Sequence, residues 1–228
     1  MHIQIGILNA GTLAYANETA LATVAGFIPA VLKRPQLIVR TLLAALFFSV
    51  LMEIFHLPVG ASELHLVGAS TIYFLFGFLP TLLGFALGLL LQGMLFEPQD
   101  LLHLGVNALS LMLPLIATHA VIGRKFLAKR GDQTSLNWRE VVRFDGMYYA
   151  GVVAMVGFWL LQGNVVTPLA QWGSFALAYV PLVLLEPLLT VALVQAIKQA
   201  PKATWLRRSE EHTSELQSHS DLVCRLLL

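Results

Sequence analysis

The residues best suited to chemistry in this chain are its first two. A free α-amine on Met1, the amide nitrogen of His2 and the Nδ1 of the His2 imidazole can chelate one ion in adjacent rings. A fourth nitrogen, from another histidine, would complete a planar square. Four nitrogens in a plane suit Ni(II) or Cu(II), and low-spin Co(II) follows by the same ligand-field argument. Magnesium and calcium prefer oxygen ligands and are disfavoured. The first residues carry neither Lys nor Arg and no cleavage pattern follows them, so no secretory signal is expected. The bulk of His2 should shield Met1 from the initiator aminopeptidase. Met1 is therefore expected to begin the mature protein. The one cysteine, Cys224, excludes an internal disulfide framework and a cysteine-based metal cluster.

Further candidates are the ionisable residues that fall at membrane depth, each of which is costly there and functional by default. They are His2, Glu18, Glu53, His56, Glu63, His65, His103 and His119. The membrane setting itself follows from composition. Of 228 residues, 57% are hydrophobic and only 12% charged, about half the charged share of a soluble domain. Mean hydropathy is +0.74. Too little polar surface remains to coat a globule, so lipid must be the solvent for much of the chain. A net charge of +1 gives no sign of nucleic-acid binding.

A bilayer core about 30 Å thick needs about 20 apolar residues in a helix. Candidate spans cover 12–32, 37–57, 101–123, 141–161 and 172–197. The apolar run 66–96 is too long for one crossing, and Gly77-Phe-Leu-Pro80 interrupts it. Proline removes a helical hydrogen bond and disfavours helix at the preceding residue, so two crossings are expected there, the first of them short. The fold class is thus all-α, a polytopic membrane protein of about seven transmembrane helices.

Lys and Arg set the orientation. They cluster at Lys33, Arg34 and Arg40, from Arg124 to Arg143, and from Lys198 to Arg207. The intervening connections 58–64, 97–100 and 162–171 contain none. This alternation places the N-terminus outside and the C-terminus in the cytoplasm, which needs an odd number of crossings. His2, His56, Glu63, His65 and His103 then share the extracytoplasmic side.

Met1-His-Ile-Gln-Ile-Gly6 resembles the Met-His-Ile-x-x-Gly opening of the CbiM/NikM family, the substrate-binding membrane components (permeases) of energy-coupling factor cobalt and nickel ABC transporters. His65-Leu-Val-Gly-Ala69 resembles the second histidine motif of that family. Gln92-Gly-Met-Leu-Phe96 with Leu104-Gly-Val-Asn107, and Pro181-Leu-Val-Leu-Leu-Glu186 with Leu188-Leu-Thr190, are similar to later motifs. The likeness covers about residues 1–200 in the expected order. It implies metal ligands at the Met1 amine, at the His2 amide and imidazole, and at the His65 imidazole. It also implies Co(II) or Ni(II) as the transported ion, a multi-pass place in a bacterial or archaeal cytoplasmic membrane, and partnership with a transmembrane coupling subunit and ATPase subunits. The chain has no Gly-x-x-x-x-Gly-Lys-Ser/Thr phosphate loop of its own. It departs from the family at Ile5, often acidic there, at Gln99-Asp100, often Gly-Gly, and at Tyr179, often histidine.

Around these ligands, Glu63 could receive the free N–H of His65, as carboxylates behind a metal-bound imidazole commonly do, or be a solvated loop acid. His103 and Asn107 could orient the site or simply join helices. Glu53-Ile-Phe-His56 has the Glu-x-x-His spacing of carboxylate-bridged di-iron helices, but no second copy exists, and a water-accessible helix end fits better. Gly84-Phe-Ala-Leu-Gly88 lets backbones approach closely, which reads as internal packing rather than a docking face. The expected function is metal uptake, not catalysis. An intramembrane metalloenzyme built on Glu53, His56, His65 and His103 is the alternative, and a permease working without ATPases is a second transport reading.

The expected organisation is a transmembrane metal-binding domain over 1–207 and a non-native tail over 208–228. Residues 208–219, Arg208-Ser-Glu-Glu-His-Thr-Ser-Glu-Leu-Gln-Ser-His219, resemble, codon by codon, a reading frame of a common short-read sequencing-library adapter. His212, His219 and Cys224 accordingly carry no functional weight.

Overall fold

A computed structural model describes residues 3, 6–59, 62–131, 137–164 and 169–199, with only the backbone described at 129–131 and 197–199. The expected tail over 208–228 lies outside the described residues, as do Met1, His2 and Ile5.

The order is α1 (Ala10–Leu32), α2 (Pro35–Ile54), β1 (His56–Val59), β2 (Ser62–His65), α3 (Ala69–Phe76), α4 (Phe78–Leu95), a 3-10 turn (Pro98–His103), α5 (Leu104–Thr118), a π turn (His119–Gly123), α6 (Arg124–Gly131), α7 (Trp138–Leu161), α8 (Leu169–Ala178) and α9 (Val180–Gln199). Among the described residues, five helical stretches are long and apolar enough to cross a membrane: Pro35–Ile54, Phe78–Leu95, Pro98–Ala128, Trp138–Leu161 and Leu169–Ala196. The outward side of α2 shows what surrounds them. Val39, Leu42, Leu46 and Val50 follow one another at helical spacing and are about half exposed, an apolar stripe that water would not tolerate and lipid does.

The interrupted run 66–96 breaks where the glycine and proline stand. Gly77 has φ +89°, a value that costs an L side chain dearly and glycine little. It caps α3 and starts α4, with Thr81 N donating to Gly77 O at 3.2 Å. Eight residues of α3 span only about 12 Å, so α3 crosses no bilayer by itself. The count of seven needs α3 together with α1, which has the length at 23 residues but carries Asn17 and Glu18.

The all-α expectation is corrected in one place. Strands β1 and β2 pair antiparallel as a hairpin, His56↔His65, Leu57↔Leu64, Pro58↔Glu63 and Val59↔Ser62. Pro58 cannot continue α2, since it lacks the amide that would donate back one turn; α2 therefore ends at Ile54, three residues short of the expected 57. The last span is interrupted at Tyr179, a single turn residue between α8 and α9, because Pro181 lacks the amide that would continue the ladder there.

Helices α2 and α4 pack through small residues. Ala44 and Ala45 face Gly84, and Ala45, Phe48 and Ser49 face Gly88. Ser49 Oγ donates to Ala45 O at 2.9 Å and to Gly88 O at 3.1 Å. The Gly84–Gly88 motif is thus internal packing, as its sequence setting suggested. Across the bundle, Trp159 Nε1 of α7 donates to Ser110 Oγ of α5 at 3.0 Å, which satisfies both polar groups in a buried place where an unpaired one would be expensive.

Candidate functional site

The hairpin that the sequence did not announce is the element that carries His65. A strand turns alternate side chains to one face, so Glu63 and His65, two apart on β2, come together: His65 Nε2 lies 3.6 Å from Glu63 Oε2. His65 is 2% exposed. Its cross-strand partner His56 is exposed, and the two rings lie 6.2 Å apart and nearly parallel. On its other edge β2 meets the N-terminal segment, because Ile3 forms an antiparallel bridge with Ser62. Ile3 is itself buried against the core. Gly6, with φ +90°, turns the chain on toward α1, and Asn9 caps that helix by accepting from Thr12 N at 2.8 Å.

His103 and Asn107 are buried, each 1% exposed, where the 3-10 turn passes into α5. This corner is pinned by Asn17. Its Oδ1 accepts from Gly105 N at 2.7 Å and its Nδ2 donates to Leu102 O at 3.4 Å. A side chain at 105 would collide with the Asn17 backbone, so Gly105 permits the close crossing of α1 and α5. The polar residue that made α1 less apolar therefore supplies the start of α5 with a hydrogen bond that lipid could not.

Acidic side chains share the same neighbourhood. Burial, a hydrogen bond to Asp100, and the negative charges of Asp100, Glu63 and Glu53 together push the Glu97 carboxyl up to about 7. Asp100, Glu63 and Glu53 each lie within electrostatic reach of Glu97, which makes this end of the molecule attractive to cations. Glu53 also accepts a hydrogen bond from Gln92 Nε2 at 3.0 Å. The alternative centre of Glu53, His56, His65 and His103 has no support from this geometry: among the described residues, no three His, Cys, Asp or Glu side chains are grouped to hold a metal ion.

At the opposite end of α3, His119 is buried. Its Nδ1 lies 2.5 Å from the Tyr73 hydroxyl and its ring stacks on Phe78 at 3.9 Å. It belongs to the aromatic packing around α3, apart from the hairpin.

Sequence reasoning missed two buried acids, Asp145 on α7 and Glu186 on α9, as site candidates. Ser70 Oγ donates to Asp145 Oδ2 at 2.8 Å, and Ser70 N donates to Glu186 Oε1 at 3.3 Å. The Tyr149 hydroxyl donates to Glu186 Oε2. The signal was present, since each is an acid inside an otherwise apolar span.

A family description, cobalt uptake substrate-specific transmembrane region (CbiM), matches residues 2–203. A solved structure described as that of a transition metal transporter has the same fold, with a TM-score of 0.70 and 20% identity over 91% of this chain and 97% of that one. No curated protein matches.

Proposed function

The chain belongs to the family of cobalt-uptake substrate-specific transmembrane regions, and on that premise we propose that it captures Co(II) or Ni(II) from the outer side of the cytoplasmic membrane, as the substrate-binding component of an energy-coupling factor transporter. Metal uptake by a multi-pass membrane protein is the family property; the rest of this reading rests on particular residues.

The observation that carries it is the bridge between Ile3 and Ser62. Consecutive Cα atoms are about 3.8 Å apart, so residues 1 and 2 are tethered within two links of the strand that bears His65. The Met1 amine, the His2 amide and imidazole, and the His65 imidazole supply four nitrogens, a donor set that selects Ni(II), Cu(II) or low-spin Co(II) over oxygen-seeking ions. Glu63, with its carboxylate 3.6 Å from His65 Nε2, stands behind that imidazole as carboxylates commonly do behind metal-bound histidines. The Glu53, Glu63, Glu97 and Asp100 neighbourhood draws divalent cations toward the hairpin. Seven crossings, with the hairpin outside and the Lys/Arg blocks in the cytoplasm, give that entrance the right side of the membrane.

Without a phosphate loop the chain has no motor, so transport requires a membrane coupling subunit and ATPases. Uptake of Co(II) and Ni(II) by a metal-starved strain tests this. Expression together with a coupling subunit and its ATPases should restore uptake, and expression alone should not. Full uptake by the chain alone would replace this reading with that of a self-sufficient permease.

A further inference from the structure

Helix α3 begins inside the molecule without a cap of its own. Gly68 occupies the cap position, with φ +66° and no side chain to offer. The first amides of a helix lack intrahelical partners, and at membrane depth no water replaces them. The partner comes from α9. The Glu186 carboxylate lies beside the amides of Gly68, Ala69 and Ser70, with Ser70 N at 3.3 Å. A negative group is also favoured there by the aligned peptide dipoles.

Glu186 is in turn held by the Tyr149 hydroxyl of α7. Tyr149 stacks on Tyr179 at 4.9 Å, and the Tyr179 hydroxyl sits beside the backbone of His65. The segment from His65 to Ser70 is therefore fastened at its Ser70 end, and only Leu66 and Val67 separate His65 from Gly68. Further bonds secure Ser70: its Oγ reaches Asp145 Oδ2 and Thr190 Oγ1, each at 2.8 Å.

We propose that Glu186, held by Tyr149, is a positioning residue for metal capture: by fastening the start of α3 it fixes the His65 imidazole where a planar ligand set needs it. This deepens the preceding reading and rests on it. A metal ligand displaced by about 0.5 Å is a poor ligand, so loosening this fastening should weaken binding although Glu186 never touches the ion.

The test is Ni(II) titration of the full chain with a free Met1 amine, followed by affinity and by the absorption of planar four-nitrogen Ni(II). Glu186→Met should bind about 10- to 100-fold more weakly and lose that absorption while keeping its helical content. Glu186→Gln keeps an oxygen for Ser70 N and can donate its amide to Tyr149, so it should stay within about fivefold of the parent. Tyr149→Phe, which preserves the ring stack, should lose about tenfold. A folded Glu186→Met protein with parental affinity and absorption would overturn the proposal, as would Glu186→Gln binding as weakly as Glu186→Met. If Glu186→Met does not fold, Tyr149→Phe decides, and parental affinity there overturns it. Failure of the underlying site is separately visible: it shows as equal Ni(II) binding by the parent and by a chain with one alanine added before Met1.

Discussion

Replacing His65 with alanine is expected to weaken Ni(II) or Co(II) binding by about 1000-fold, near 4 kcal/mol, with the helical content unchanged. The side chain is 2% exposed and sits on the hairpin beside Glu63. Its removal takes away one nitrogen of four, while the helices outside the hairpin keep their own hydrogen bonds. His56→Ala provides the contrast. His56 is exposed across the ladder, and its loss should leave affinity close to the parent value. Titration of purified protein against both metals, beside a circular dichroism spectrum, measures these outcomes. A metalloenzyme centre built on Glu53, His56, His65 and His103 requires the opposite for His56, so equal collapse of both variants would revive it.

Gly88→Leu is expected to destabilise the bundle by about 3 kcal/mol. A Cβ at this position meets the Phe48 ring, lies 3.0 Å from the Ala45 carbonyl oxygen and 3.2 Å from Ser49 Oγ. The carbonyl is backbone and cannot rotate away, so α2 and α4 must separate. Separation also breaks the 3.1 Å bond from Ser49 Oγ to Gly88 O, in a region with no water to replace it. Gly26, whose Cβ would meet nothing within 4 Å, serves as control, and Gly26→Ala should shift stability by no more than about 0.5 kcal/mol. Thermal unfolding in detergent compares the three proteins. A Gly88→Leu transition at the parent temperature would show that the α2–α4 contact is looser than its geometry implies.

Apolar length was enough to place most helices, because lipid imposes it on any spanning segment. The break at Gly77 was legible for the same reason, since a long apolar run holding glycine and proline has few other solutions. The hairpin was not legible. Residues 55–65 are short, and at that length apolar alternation is outweighed by the neighbouring helical runs. That omission hid the most useful spacing at the site: Glu63 and His65 point the same way only when the segment is a strand. Asn17 looked like a weakness in α1 until Gly105 was seen donating to it. Asp145 and Glu186 were passed over because one acid barely changes the average hydropathy of a 20-residue window. Their meaning depends on α3, α7 and α9 meeting at Ser70, which is a tertiary fact that no local pattern records.

The central claim is that the ion is held by the chain's own first residues together with His65. It is tested most directly by counting metal on two purified proteins, one with a free Met1 amine and one with a single alanine added before it. The account predicts about one Ni or Co per chain in the first, the simplest stoichiometry for a single four-nitrogen site, and none in the second, because the added residue moves the amine out of the chelate ring. Equal metal content in both would contradict it.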